Sequence, residues 1–247
     1  EDGIRDVAVT GVQTCALPIL PNWTRLMGAM VEAQRFAGDE FALSSPCERV
    51  VGELLGWGPA NDATLDGRLP WVAKWAAQDG LELDQEKTWG LISPGHWMMG
   101  REHVTLLDPA ELGLSESDAR EAFNAISPLF HEDGWDLVWG TPTRWYASHP
   151  SLEGLPTASL DRVVGRNPDV WLNDHPQARR IRRIQAEVQM MLYQHPLHER
   201  RTEQGLPPLN SFWLSGCGRV DVNVSLPANC VLVDALQSPL QADDMDR

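Results

Sequence analysis

Hydrophobic positions along the chain of 247 residues recur at two spacings, and the switch between them divides the sequence. Trp23, Met27, Met30 and Val31 lie close to a 3.6-residue period, which predicts a helix over 23–35. A second short helix is expected from Glu48 to Leu55, ending at Gly56. A third follows over PWVAKWAAQ (70–78), with Pro70 at a first helical position and Gly80 as its stop. Residues 58–67 between them read as a turn-rich loop. The pattern then becomes strand-like in TWGLI (88–92) and HVTLL (103–107), the second broken by Asp108-Pro109. Ser115-Glu116-Ser117-Asp118 resembles a helix cap, and Ala119, Phe123, Ile126 and Phe130 continue it at three- and four-residue intervals. Asp133-Gly134 turns the chain into WDLVWG, and Thr141-Pro142 separates that run from TRWYA. The order is strand, strand, helix, strand, strand.

Residues 154–168 form a polar, proline-containing connection with room for one helical turn. From Pro176 to Tyr193 a long helix is well signalled, with Ile181, Ile184, Val188, Met191 and Leu192 on one face. Arg179, Arg180, Arg182 and Arg183 lie off that stripe and read as a solvated face. HPLHERRTEQGLPPLNSFWLSGCG then predicts a helix end, a turn, a buried strand over 211–214 and a Gly-rich corner. These elements make an α/β or α+β fold. No apolar run approaches the roughly 20 residues that span a bilayer, so no membrane partner and a cytoplasmic location are expected.

Residues 1–19, EDGIRDVAVTGVQTCALPI, fit none of this patterning. Three acids, one Arg and no sustained apolar run argue against a secretory signal. The segment resembles the conceptual translation of a short-read sequencing adapter, in the order adapter, index, primer. It is therefore read as foreign to the fold. The formal net charge is −15; three acids and one Arg lie in this segment, so the remainder carries −13. An acidic surface disfavours phosphate backbones and hence nucleic-acid partners.

Cys47, Cys217 and Cys230, left after setting Cys15 aside, show no CxxC spacing, which argues against a disulfide framework or zinc ribbon. Eleven Trp stand against two Tyr; indoles need large apolar pockets plus a partner for the N–H, and many are expected in the core or a groove. Among seven histidines the tightest pairs are His96 with His103 and His195 with His198. Neither has a neighbouring ligand to complete a zinc set, and Pro196 suits a helix terminus better than a ligating face. Cys217 in Ser215-Gly216-Cys217-Gly218 is open to two readings, a nucleophile on a sharp turn or a small residue filling one.

LPNWTRLM, SPGHWMMGREHV, RWYA and LNSFWLSGCG together resemble the bacterial RpfE-type regulatory proteins, which often carry the label phosphoglycerate mutase. The resemblance covers most of 20–218. It implies a cytoplasmic regulatory protein with an unknown protein or small-molecule partner, and both ends of this chain are expected to be truncated. Residues 20–26, 47–57 and 195–218 are also similar, in the same order, to archaeal-type cofactor-independent phosphoglycerate mutases of the alkaline phosphatase superfamily. That resemblance implies a mostly helical part over 20–85 of a truncated core and an inserted α+β subdomain over 86–150. A long helix and strand then return to the core over 151–218, before a tail over 219–247.

At the position that matches the mutase's nucleophilic serine stands Cys47, beside Glu48. These two are the candidate catalytic residues. His96, Trp97, His103, Asn210 and Cys217, in the most specific shared pieces, are the candidate ligand-binding residues. Asp174-His175 looks like a late metal pair, but it precedes the His195 segment, where the mutase order would not put it. No metal ligand is assigned. The leading reading is a catalytically degenerate mutase-like scaffold acting by binding. Its rival is a metal-dependent mutase or phosphatase, with Mn or Mg held by residues beyond these ends.

Overall fold

In the computed structural model, residues 38–100, 103–172 and 175–225 are described. The helix expected over 23–35 and the 1–19 segment lie outside them, as do Cys230 and Asp174. The described residues form one mixed unit of helices around a four-stranded antiparallel sheet.

Helix α1 (Pro46–Leu54) starts two residues before the expected Glu48, because Ser45 caps it and Pro46 supplies the first-turn φ. Helix α2 (Trp71–Gln78) begins after Pro70 and ends at Asp79, with Gly80 at φ 68°. Strand β1 (Thr88–Gly95) runs further than the expected 88–92 and leads into the β2 (Trp97–Met99) and β3 (Val104–Leu106) hairpin. Helix α3 (Glu116–Glu132) has Ser115 as its cap, as the sequence suggests. It precedes the hairpin of β4 (Asp136–Thr141) and β5 (Arg144–Ser148). Short α4 (Leu160–Val163), long α5 (Ala178–Gln194) and α6 (Pro196–Glu203) lead to β6 (Ser211–Arg219).

The sheet order is β4-β5-β1-β6, and side-chain alternation sorts its residues onto two faces. Leu137, Trp145, Ala147, Ile92, Phe212 and Leu214 turn one way, where α3 and α5 cover them with Ile126, Phe130, Ile184 and Val188. Val138, Tyr146, Leu91 and Trp89 turn the other way, onto Val72 and Ala76 of α2. Further along that second face, Trp213 packs with Leu106, Val163 and Trp171. Burying each large side chain of this kind contributes about 1.5–3 kcal/mol. Of the described indoles, Trp89, Trp135, Trp145, Trp171 and Trp213 are buried, whereas Trp57, Trp71, Trp75, Trp97 and Trp139 are half-buried.

The Gly-rich corner expected after Leu214 is instead strand. Between Leu91 and Trp89 on β1, β6 advances from Ser215 to Gly218, so it carries one extra residue. Gly216, at φ 61°, absorbs this bulge in a left-handed conformation that leaves no room for a side chain beside Trp71. Pairing therefore continues to Arg219.

A partly buried ion cluster ties α2 to the hairpin. Asp79 accepts from Arg144 Nε at 2.9 Å and Nη2 at 2.5 Å, and from Tyr146 Oη at 2.5 Å, while the guanidinium lies 4.4 Å over Trp75. Among the described residues no helix is long and apolar enough to cross a membrane.

Candidate functional site

The sequence Ser44-Ser45-Pro46-Cys47-Glu48 builds a reciprocal cap. Ser45 Oγ accepts from Glu48 N at 3.3 Å, and Glu48 Oε2 accepts from Ser45 N at 2.9 Å. The preceding turn is fixed by Asp66, whose carboxylate accepts from Leu43 N and Ser44 N, each at 2.9 Å, while Ser44 Oγ accepts from Gly67 N. Against this turn sits the start of α4. Ser159 N donates to Leu43 O at 2.9 Å, and Ser159 Oγ lies 2.5 Å from Asp161 Oδ1. Arg162 holds the incoming chain, with Nε donating to Ala42 O at 2.9 Å and Nη2 to Asp39 O and Glu40 O.

Two carboxyl groups are thereby drawn together in a partly dry place. Burial, and then the neighbouring Asp161, push the Glu48 carboxyl up to about 7, against the opposing pull of hydrogen bonds from Ser45 and Ser159. Cys47 is exposed as a residue, yet the protein packed around its sulfur is the first cause raising its thiol pKa. Glu48 and Asp161 raise it further. A cysteine in the first turn of a helix ordinarily has its thiolate favoured by the macrodipole. Here desolvation and two acids outweigh that pull. Even at the ordinary value of 9.0 only about 1% of a thiol is ionised at pH 7, and Cys47 holds less.

The ligand-binding candidates fall elsewhere. Asn210 Oδ1 accepts from Trp97 N at 2.7 Å, and Asn210 Nδ2 donates to Trp97 O at 3.0 Å. Its backbone N donates to Gly95 O. One side chain thus completes both backbone groups of Trp97 where β1 bends into β2, joining the SPGHW and NSFW pieces. The Trp97 ring packs beside the Trp213 cluster. His96 Nδ1 lies 2.7 Å from Pro208 O, so that nitrogen carries the proton. Burial lowers the His96 pKa, and His198 adds to the effect against the Pro208 bond. His103 is exposed, and its carbonyl accepts from Gly100 N to close the β2–β3 turn.

Cys217 belongs to neither group. It is 4% exposed in the core and burial pushes its thiol up to about 12, which suits a small residue packed beside Gly90 rather than a nucleophile. The sequence-predicted residues therefore occupy four places: the α1 start, the β1–β2 bend, the β2–β3 turn and the core. His175 accepts from Gln177 N through Nδ1. Among the described residues, no group of three or more His, Cys, Asp and Glu side chains is placed to hold a metal ion. The divalent ion of the mutase reading thus finds no donor set among them.

Ser159 and Asp161 were not anticipated, although a Ser with an acid two residues on is a helix-start signature that could have marked them. Arg201 was also missed. It is fully buried, donating from Nε to Pro207 O at 3.0 Å, from Nη1 to Asp118 Oδ2 at 2.7 Å and from Nη2 to Leu112 O.

No protein-family model matches this sequence, and no curated protein matches it significantly. A structural likeness is found. The cofactor-independent phosphoglycerate mutase from Thermoplasma acidophilum matches over 68% of this chain at 19% sequence identity, with a TM-score of 0.46. The match takes in 45% of the mutase chain, so this chain spans less than half of that protein's length.

Proposed function

We propose that this chain is a mutase-related module of the RpfE type. On this reading it works in the cytoplasm by binding a protein or small-molecule partner and does not transfer phosphoryl groups. The observation that supports this reading is the environment of Cys47. The resemblance places a nucleophile there, whereas desolvation, Glu48 and Asp161 all hold the thiol protonated. Activation of a nucleophile requires the opposite, a neighbouring base or cation that favours the ionised form. Asn210, in the most specific shared piece, and Arg201, within the mutase-like stretch 195–218, engage their polar groups in backbone and ion-pair joints of the scaffold.

The test is turnover. Full-length protein incubated with 2- or 3-phosphoglycerate and manganese or magnesium is expected to show no interconversion above a chelated control. Metal-dependent interconversion that is abolished by chelator, and lost in Cys47→Ala, would overturn the proposal in favour of a metal-dependent mutase.

A further inference from the structure

His149 follows β5 and starts the single turn Pro150–Leu152, which sets Leu152 in the core. Its ring stacks on Trp135, with centroids 4.6 Å apart and planes at 25°. Both ring nitrogens face groups that only donate. Ser151 N lies 3.0 Å from Nδ1, and Arg180 Nη1, from the first turn of α5, lies 2.7 Å from Nε2. A neutral imidazole accepts at one nitrogen, and an imidazolium accepts at neither. With its proton on Nδ1 the ring donates to Ser151 Oγ at 2.8 Å and leaves Nε2 to accept from Arg180. With its proton on Nε2 it would set two N–H groups against each other. The neutral ring protonated at Nδ1 is therefore the form that fits, and a second proton ends the Arg180 contact by placing two cations side by side.

We propose that His149 is a proton-operated latch between the end of β5 and the start of α5: the neutral ring holds Arg180, and the protonated ring releases it to Asp133 and loosens the 149–152 turn from the helix. The receiving carboxylate is already in place. Asp133, in the turn after α3, has Oδ2 3.8 Å from Arg180 Nη1 and accepts there from Trp135 Nε1 at 3.3 Å, while its Oδ1 lies 4.0 Å from Arg183 Nη2. The charged groups facing the ring are thus Arg180 on α5, with Arg183 behind it, and Asp133 on the α3–β4 turn; Trp135 and Ser151 are neutral. Burial, and then Arg180, hold the His149 pKa below the ordinary 6.5, with Asp133 pulling the other way. A histidine whose folded pKa is depressed contributes stability that is complete above pH 6.5 and is lost as pH falls through the folded pKa. Mild acid therefore opens the latch, whatever the chemistry at Cys47.

The experiment follows the histidine rings of the full chain by long-range ¹H–¹⁵N NMR from pH 8 to 4.5, together with amide exchange, expressed as protection factors, across the same range. At pH 7.5 the His149 ring is expected to carry its proton on Nδ1, and its midpoint is expected below the ordinary 6.5. Protection of peptides spanning 148–153 and 178–184 should fall together by about tenfold as that ring takes its proton, while peptides of β1 keep theirs. Arg180→Ala should raise the midpoint and Asp133→Asn should lower it. His149→Gln keeps an acceptor for Arg180 that does not titrate, and should flatten the pH dependence of both peptides. A proton on Nε2 at pH 7.5, a midpoint at or above 6.5, protection that is constant while the ring titrates, or an equal fall in His149→Gln would each overturn the latch. The wild-type titration and exchange decide the matter even if one variant does not fold.

Discussion

Replacing Arg201 with Leu tests whether the His195–Gly218 segment serves as a structural joint. The guanidinium is fully buried and donates to Asp118 Oδ2, Pro207 O and Leu112 O. Leucine fills much of the volume but leaves two carbonyls without donors and removes the main partner of a carboxylate whose side chain is 13% exposed. Arg200, 3.2 Å from Asp118 Oδ1, remains as a partial substitute. Removing one member of a buried charge pair costs about 3–5 kcal/mol, and each orphaned acceptor about 1–3 kcal/mol. These costs overlap and Arg200 offsets some of them, so the expected net loss is about 3–5 kcal/mol. At this chain length that corresponds to roughly 10 °C in Tm. Urea unfolding of wild type, Arg201→Leu, Asp118→Asn and the double variant measures it. The two single losses should exceed the double by about 2 kcal/mol when summed. A loss below about 1 kcal/mol for Arg201→Leu would refute the reasoning.

Asn210→Ala should cost about 1–3 kcal/mol in urea unfolding, because both backbone groups of Trp97 lose their partner; a change within about 0.5 kcal/mol would show that the β1–β2 bend holds without it. Cys217 should resist alkylation in native protein and react only on unfolding, read by mass spectrometry of peptides; prompt native labelling would contradict its burial. Stability should also depend on pH through Glu48. Its folded pKa, about 7, lies above the ordinary 4.5, so its contribution is intact below pH 4.5 and is lost as pH rises to about 7. The full shift corresponds to about 3 kcal/mol. Glu48→Gln should therefore be nearly neutral at pH 4 and more stable than wild type by up to about 3 kcal/mol at pH 8.5. Equal stability offsets at both pH values would refute that sign.

Elements whose signal is local were legible in the sequence. The apolar stripe of α5 and the Ser115 start of α3 need only a few neighbouring residues to declare themselves. The errors came where distant packing decides. GCG in 216–218 has the composition of a corner, yet Gly216 serves as the left-handed residue of a bulge that lets β6 stay paired with β1. The candidate site was half visible. Cys47 and Glu48 stood out through a resemblance, and Asn210 and Trp97 through their motifs. That Asp161 turns the Cys47 environment acidic depends on α4 docking on the Leu43 turn, a contact between segments far apart in the chain that no spacing rule encodes.

The central proposal is that the start of α1 opposes ionisation of Cys47, the residue that the resemblance sets at a nucleophile's position. Its most direct measurement is the pH dependence of Cys47 alkylation, read by peptide mass spectrometry so that each cysteine is followed separately. The account predicts a thiol that ionises above the ordinary 9.0 and moves downward in Glu48→Gln, since one acid that raises it is removed. A midpoint near neutrality, unchanged by Glu48→Gln, would show an activated thiolate and contradict the account.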